Sequence, residues 1–277
     1  MDELVVDAMS SPAVRFGQEL ARLRRARGWS QVGLAKRMGY SNTLVSYVER
    51  AKRPPTMNFA VKADQVFETG GTFYELWRRH TKASLLEGFP EFADAEARCR
   101  RLRTLELIVM PGLFQTPSYA RALAQAAAHR GAISQSEAED RVDFLSYRQQ
   151  RVLERQSPPV VHAVLDESCL LRPVGRAAVM REQLAHLEVL AERPNITIQV
   201  APFSLGENLP FTMPVVLLDM PDRSVVGYAE SQAQGYLERV RETVTRWERE
   251  YDQLVVEALP KAASLALICK ARKELAP

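Results

Sequence analysis

The sequence predicts a two-part chain, mainly α with a second α+β domain: a small helical head, then a larger part mixing strands and helices. Three observations carry this. At 277 residues the chain is too long for one small helical domain, and 46% hydrophobic residues suffice to core two. From Ala13 to Arg53, ten basic residues stand against Glu19 and Glu49, a net of +8 in a chain that totals +3, so everything else sums to −5. The periodicity also changes, from amphipathic helical spacing in the head to short apolar runs of strand length after residue 105.

Between Trp29 and Pro55, two short amphipathic helices are hinged at one glycine. Leu34, Ala35 and Met38 share one side of a helix that Ser30 can cap. Ala35 is small where two helix axes must approach, and Gly39 stands where a left-handed residue ends the helix at little steric cost. Ser41 can cap the next helix, in which Leu44, Val45 and Val48 form the inward stripe and Asn42, Thr43, Ser46 and Tyr47 face out. This is the pattern of a helix-turn-helix, whose second helix enters the DNA major groove. The competing reading is a plain αα-hairpin with Asn42 and Thr43 as cap residues. The local positive charge points to a polyanion partner.

The spacing Gln31, Ala35, Gly39, Val45, Glu49 followed by Lys52-Arg53-Pro54 resembles the Xre/Cro-type domain of phage and bacterial repressors. The resemblance covers about residues 14–82. It implies a five-helix module with helices over about 14–27, 31–38, 42–50, 57–67 and 73–80. It further implies that Gln31 bonds a phosphate, that Asn42, Thr43, Ser46 and Tyr47 face the bases behind Ser41 at the helix start, and that Arg50, Lys52 and Arg53 grip the backbone. Asn42 suits adenine, and Thr43 a thymine methyl or a phosphate. Arg24 is expected to pair with Glu49, as a structural pair that contacts no DNA. Phe73, Tyr74 and Trp77 have helical spacing and read as the core face of the fifth helix. One such head makes a small interface, so a homodimer reading two half-sites about 34 Å apart on double-stranded DNA is expected.

Other features narrow the function classes. Cys99, Cys169 and Cys269 form no close pair, against a disulfide framework or zinc ribbon and in keeping with a reducing cytoplasm. No apolar run is long enough to span a bilayer, and Met1-Asp2-Glu3 lacks the start of a signal peptide, so no membrane or export role is expected. His80, His129, His162 and His186 are too scattered for a metal site. His162 and Asp166 share a strand face, but no serine elbow, Cys-His pairing or Gly-rich phosphate loop accompanies them. The chain is therefore expected to be no enzyme and to need no metal or cofactor.

The expected domains are 1–82, a helical linker over 83–104, and an α+β domain over 105–277. Gly88 and Pro90 precede a helix-compatible stretch from Glu91 to Arg103. Leu105 to Met110 reads as a strand that stops at Pro111-Gly112, and Pro117 opens a helix to about His129. Ser134 with Glu137 makes a capping box for a long helix to Arg155. Strands follow at about 160–165, 196–201, 215–220 and 224–229, with a helix over 177–192 and two last helices over 237–259 and 261–275. No regular βαβ alternation is visible, so α+β is the expected class.

Val-Met-Pro-Gly-Leu-Phe-Gln-Thr at 109–116, Arg-Gln at 148–149, Leu-Asp-Glu at 165–167, Met-Arg-Glu-Gln-Leu at 180–184, Ala-Pro-Phe at 201–203 and Tyr-x-Glu at 228–230 carry a second resemblance. They are similar to a poorly characterised domain behind actinobacterial Xre-type heads, in regulators often encoded beside a small partner protein. That implies a domain sensing a small-molecule effector or binding such a partner. Arg148, Gln149, Glu167, Tyr228 and Glu230 are polar residues in or beside apolar elements, and burying them is costly unless they are paired. Two readings stand: a self-satisfied hydrogen-bond network, or a ligand or partner site. The loop from Phe203 to Pro210 reads equally as a lid or as an ordinary connection. Two function classes follow, a DNA-binding regulator modulated through its second domain, and an antitoxin-like interaction protein that regulates its own operon.

Overall fold

The computed structural model describes residues 12–81, 86–232 and 234–275. The chain divides into two compact units between residues 84 and 85. The first contains α1 (Pro12–Ala26), α2 (Gln31–Met38), α3 (Asn42–Glu49), α4 (Met57–Phe67) and α5 (Thr72–Thr81). Its turns follow from local chemistry. Ser30 Oγ accepts the Gly33 N–H at 3.0 Å, Gly39 ends α2 at φ 73°, and Ser41 Oγ accepts the Leu44 N–H at 3.2 Å. Asp64 on α4 caps α5 across the turn, accepting the N–H groups of Phe73 and Tyr74 at 2.9 and 2.8 Å. Leu34, Ala35, Met38, Val45 and Val48 are buried, as are Phe73 and Trp77, whereas Leu44 and Tyr74 are half-buried. Gly17 is the close-approach position: a Cβ there would lie 2.5 Å from the Val48 carbonyl oxygen, so only glycine lets α1 sit this near α3.

The second unit is built on a six-stranded sheet in the order β3-β2-β1-β4-β5-β6. Its strands are β1 (Arg101–Glu106), β2 (Val160–Asp166), β3 (Ile196–Ala201), β4 (Val215–Asp219), β5 (Val225–Glu230) and β6 (Gly235–Glu238). β1, β2 and β3 are mutually parallel, and β4, β5 and β6 run as an antiparallel meander from β1. The crossovers are helical: α7 (Pro117–His129) and α8 (Gln135–Leu153) join β1 to β2, and α9 (Glu167–Leu171) and α10 (Ala177–Ala191) join β2 to β3. A βαβαβ run is therefore embedded in the α+β domain, contrary to the expected lack of alternation. α6 (Phe89–Glu96) precedes the sheet, and α11 (Arg241–Glu257) and α12 (Lys261–Glu274) follow it. One core, which includes Phe92, Leu102, Phe114, Leu184 and Tyr228, fills one face, while Leu105, Val164, Leu217 and Tyr251 fill a second core under α11.

Three expectations are corrected here. The stretch 83–104 is no helical linker: α6 ends at Glu96, and residues 101–104 belong to central strand β1. The strand expected over 105–110 begins four residues earlier, because Arg103, 4% exposed, is neutralised by Asp219 and Glu248 at 2.7 and 2.8 Å. Charges in a central strand read as polar helix until their partners are known. The helix expected from Leu237 starts at Arg241, because residues 235–238 pair with β5. Gly235 admits the Tyr228 ring, whose hydroxyl would lie 2.1 Å from a Cβ at that position.

Candidate functional site

The surface of interest in the first unit is built around α3. Asn42, Thr43 and Tyr47 are exposed and Ser46 is half-buried, so one face of the helix is left to solvent along its length. Ser41, exposed itself, is occupied as the cap. Arg50 folds back on the helix, donating through Nε to the Ser46 carbonyl at 3.1 Å and through Nη2 to the Ser46 hydroxyl at 2.6 Å, with its guanidinium 5.9 Å from the Tyr47 ring centre. Ser46, expected to face a base, is thus the seat of Arg50. The chain turns away after Ala51, at φ 51°, and the N–H groups of Lys52 and Arg53 both reach the Tyr47 carbonyl, at 2.8 and 3.4 Å. The backbone of two exposed cationic residues is thereby held beside the end of α3.

Beneath this face, Arg24 grips Glu49, from Nε to Oε1 at 2.5 Å and from Nη2 to Oε2 at 2.9 Å. Their side chains are 11% and 5% exposed, and the carboxylate raises the affinity of Arg24 for its proton. Gln31 joins them, donating through Nε2 to Glu49 Oε2 at 2.7 Å. The residue expected to bond a phosphate is therefore oriented by the structural pair.

In the second unit, Arg148 of α8 and Tyr228 and Glu230 of β5 come together, and Gln149 and Glu167 do not. Arg148 donates through Nε and Nη2 to both oxygens of Glu96, which is 1% exposed, the Nη2 bond measuring 2.8 Å. Its guanidinium lies 5.2 and 5.4 Å from the ring centres of Phe89 and Phe92. Phe92 stacks on Tyr228 with centroids 3.9 Å apart, and the Tyr228 hydroxyl donates to Glu230 at 2.8 Å. Burial opposes the charge on Arg148, but Glu96, with Glu230 and Glu106 behind it, more than restores it. Glu106, from β1, accepts from the Thr104 hydroxyl at 3.5 Å. Burial and then the Glu230 charge push its carboxyl up to about 8, against the pull of Arg148. Glu96, Thr104, Glu106 and Arg148 border a cavity of about 20 Å³, room for one water. Sequence reasoning missed Glu96 and Glu106. Both sit in stretches read as linker or apolar strand, and only the fold brings them to Arg148.

Gln149 has a different duty. Its Nε2 donates to the carbonyls of Gly112 and Gln115 at 2.9 and 2.8 Å, while fully buried Gln183 accepts the Thr116 N–H and donates to the Phe114 carbonyl, at 2.8 and 2.7 Å. The Met-Pro-Gly-Leu-Phe-Gln-Thr segment is thus held by two glutamines. Gly112 leaves room for Arg148, whose Nη1 would be 2.7 Å from a Cβ there. Glu167 ties α9 to the turn after β3 by accepting the Phe203 N–H at 2.8 Å. That connection, residues 203–208, is two short 3-10 pieces broken at Gly206, at φ 52°, rather than open loop. Among the described residues no group of three or more His, Cys, Asp or Glu could hold a metal ion, and no helix is long and apolar enough to cross a membrane.

Comparison with known proteins finds two family matches. Residues 15–73 match the family model described as a helix-turn-helix domain, and residues 89–270 match that of a domain of unknown function, DUF5753. No curated protein and no solved structure matches the chain.

Proposed function

The chain belongs to the DUF5753 family and carries a helix-turn-helix domain ahead of that domain, and from this premise we propose that it is a non-enzymatic, sequence-specific transcription regulator. It binds double-stranded DNA in the cytoplasm as a homodimer, and its C-terminal domain modulates that binding through a partner. The observation that carries the DNA half is the solvent-facing row Asn42, Thr43 and Tyr47 on α3, followed by the exposed cations Lys52 and Arg53, whose backbone is tied to the Tyr47 carbonyl. Polar side chains in that row can reach base edges while the cations meet phosphates. Duplexes selected by the purified chain from a random-sequence pool should share one motif, with two half-sites about one helical turn apart. Asn42→Ala should lose preference at one position of each half-site, and selection of no common motif refutes the reading.

For the C-terminal half, a protein partner is better supported than a small molecule. The polar cluster is largely satisfied internally, and its cavity admits one water. In contrast, Ile108, Leu171, Phe203 and Met213 are 53, 49, 57 and 47% exposed. The first three follow the C-terminal ends of β1, β2 and β3, and Met213 precedes β4 at the same end of the sheet. A run of large apolar side chains at one sheet end fits a protein contact. Co-expression with the product of a small neighbouring reading frame should give a complex that Phe203→Glu abolishes. A complex indifferent to that change removes this surface.

A further inference from the structure

Trp29 and Arg37 lie outside the row just described, yet they form a charged platform at the start of α2. The Trp29 ring is stacked on Phe67 with centroids 5.4 Å apart, and its carbonyl accepts Arg24 Nη1 at 2.9 Å, so neither end of the residue can swing. Over this fixed ring lies the Arg37 guanidinium, 4.4 Å from the ring centre. Arg37 belongs to the last turn of α2, but its side chain runs back along the helix and donates through Nη1 to the Gly33 carbonyl at 2.9 Å. The guanidinium and the helix cap both lie close to Gly33, where a Cβ would sit 3.4 Å from Arg37 Nη1 and 3.3 Å from the Ser30 hydroxyl. Arg37 is exposed, and its Nε and Nη2 have no protein acceptor among the described residues. Arg27 adds a second cation 5.7 Å from the same ring, anchored by its bond to the Phe67 carbonyl at 3.2 Å. A guanidinium normally spends conformational entropy to meet an anion, and here stacking and one backbone bond have already restricted it.

We propose that Arg37 is a DNA-backbone contact of this protein, binding a phosphate near the start of α2, and that Trp29 is the positioning residue that presents it. The inference rests on the DNA-binding reading above and adds a contact on α2 to those around α3. A planar, pre-oriented fork with two unused nitrogens matches a phosphate better than it matches any single base edge. The contact is therefore indifferent to sequence and measurable without knowing the operator.

The test uses the full chain and a fluorescein-labelled 30-bp duplex of random sequence, with affinity measured against salt concentration. Arg37→Ala should weaken binding about fivefold at 0.1 M salt and flatten the log–log salt slope by about 0.9, the loss of one phosphate contact, with the unfolding midpoint unchanged. Arg37→Lys should keep the slope and lose part of the affinity. Trp29→Leu should weaken binding in the parent chain and have no further effect on binding in the Arg37→Ala background, a coupling that general damage to the head would not produce. Lys52→Ala is the control. An unchanged slope for Arg37→Ala while Lys52→Ala flattens it overturns this proposal alone, and a parent chain with no affinity for the duplex overturns it together with the DNA-binding reading.

Discussion

Arg24 and Glu49, one on the first helix and one on the third, form a two-pronged ion pair whose side chains are 11% and 5% exposed, and the pair carries Gln31 as a third member. Breaking such a pair strands a buried charge. Arg24→Ala and Glu49→Ala should each cost about 3 kcal/mol, and the double variant should cost less than their sum. Urea unfolding of the four proteins of the cycle measures this, and additive losses would deny the coupling.

Gly17 is a packing requirement of the head. A Cβ would fall 2.5 Å from the Val48 carbonyl oxygen and 2.7 Å from that of Glu49, both main-chain atoms at the end of α3. Gly17→Ala gains helix propensity yet should destabilise the head by about 1–3 kcal/mol, because backbone cannot rotate out of the way as a side chain can. A thermal midpoint at or above that of the parent would contradict the close crossing of α1 on α3.

Arg148 and Glu96 make the corresponding pair in the second unit. Arg148→Met should destabilise the chain by about 3–5 kcal/mol, since Glu96, 1% exposed, loses the cation that neutralises it. Adding Glu96→Gln should restore much of the loss by removing the stranded charge. Failure of the second change to rescue would mean that Arg148 matters through its contacts with Phe89 and Phe92 instead.

Glu106 should make stability fall as pH rises. Its folded carboxyl is pushed up to about 8, first by burial and then by Glu230, with Arg148 opposing. An unfolded glutamate loses its proton near pH 4.3, about the usual value. Below that both states are protonated and the stabilisation is complete. Between there and pH 8 only the unfolded chain releases the proton, so stability drops, and above pH 8 the loss levels off. Relative to Glu106→Gln, the parent should lose at most about 1.4 kcal/mol per pH unit across that window. Parallel stability curves for the two proteins from pH 5 to 9 would contradict the burial of this acid.

The head was legible because its signals are local. Ser30, Gly39 and Ser41 act within four residues of themselves, and the apolar spacing of α2 and α3 repeats within one or two turns. The same locality made the capping box at Ser134 and the limits of α7 readable. Glu96 and Glu106 lie 52 and 42 positions from Arg148, and nothing in their neighbours marks them as its companions. Arg103 misled for the same reason, its two carboxylates standing 116 and 145 positions away.

What the sequence determined by itself is everything carried by short-range spacing: the helix-turn-helix, its caps, and the row Asn42, Thr43 and Tyr47; that Arg24 meets Glu49, 25 positions on, came from the family resemblance. Tertiary structure alone decided that Ser46 seats Arg50, that Arg37 doubles back onto Trp29, and that Arg148 pairs with Glu96. The physical reason is range. Backbone hydrogen bonding and periodic burial are settled by residues a few positions apart, whereas a charge is neutralised by whichever opposite charge the fold brings within about 3 Å, however distant along the chain.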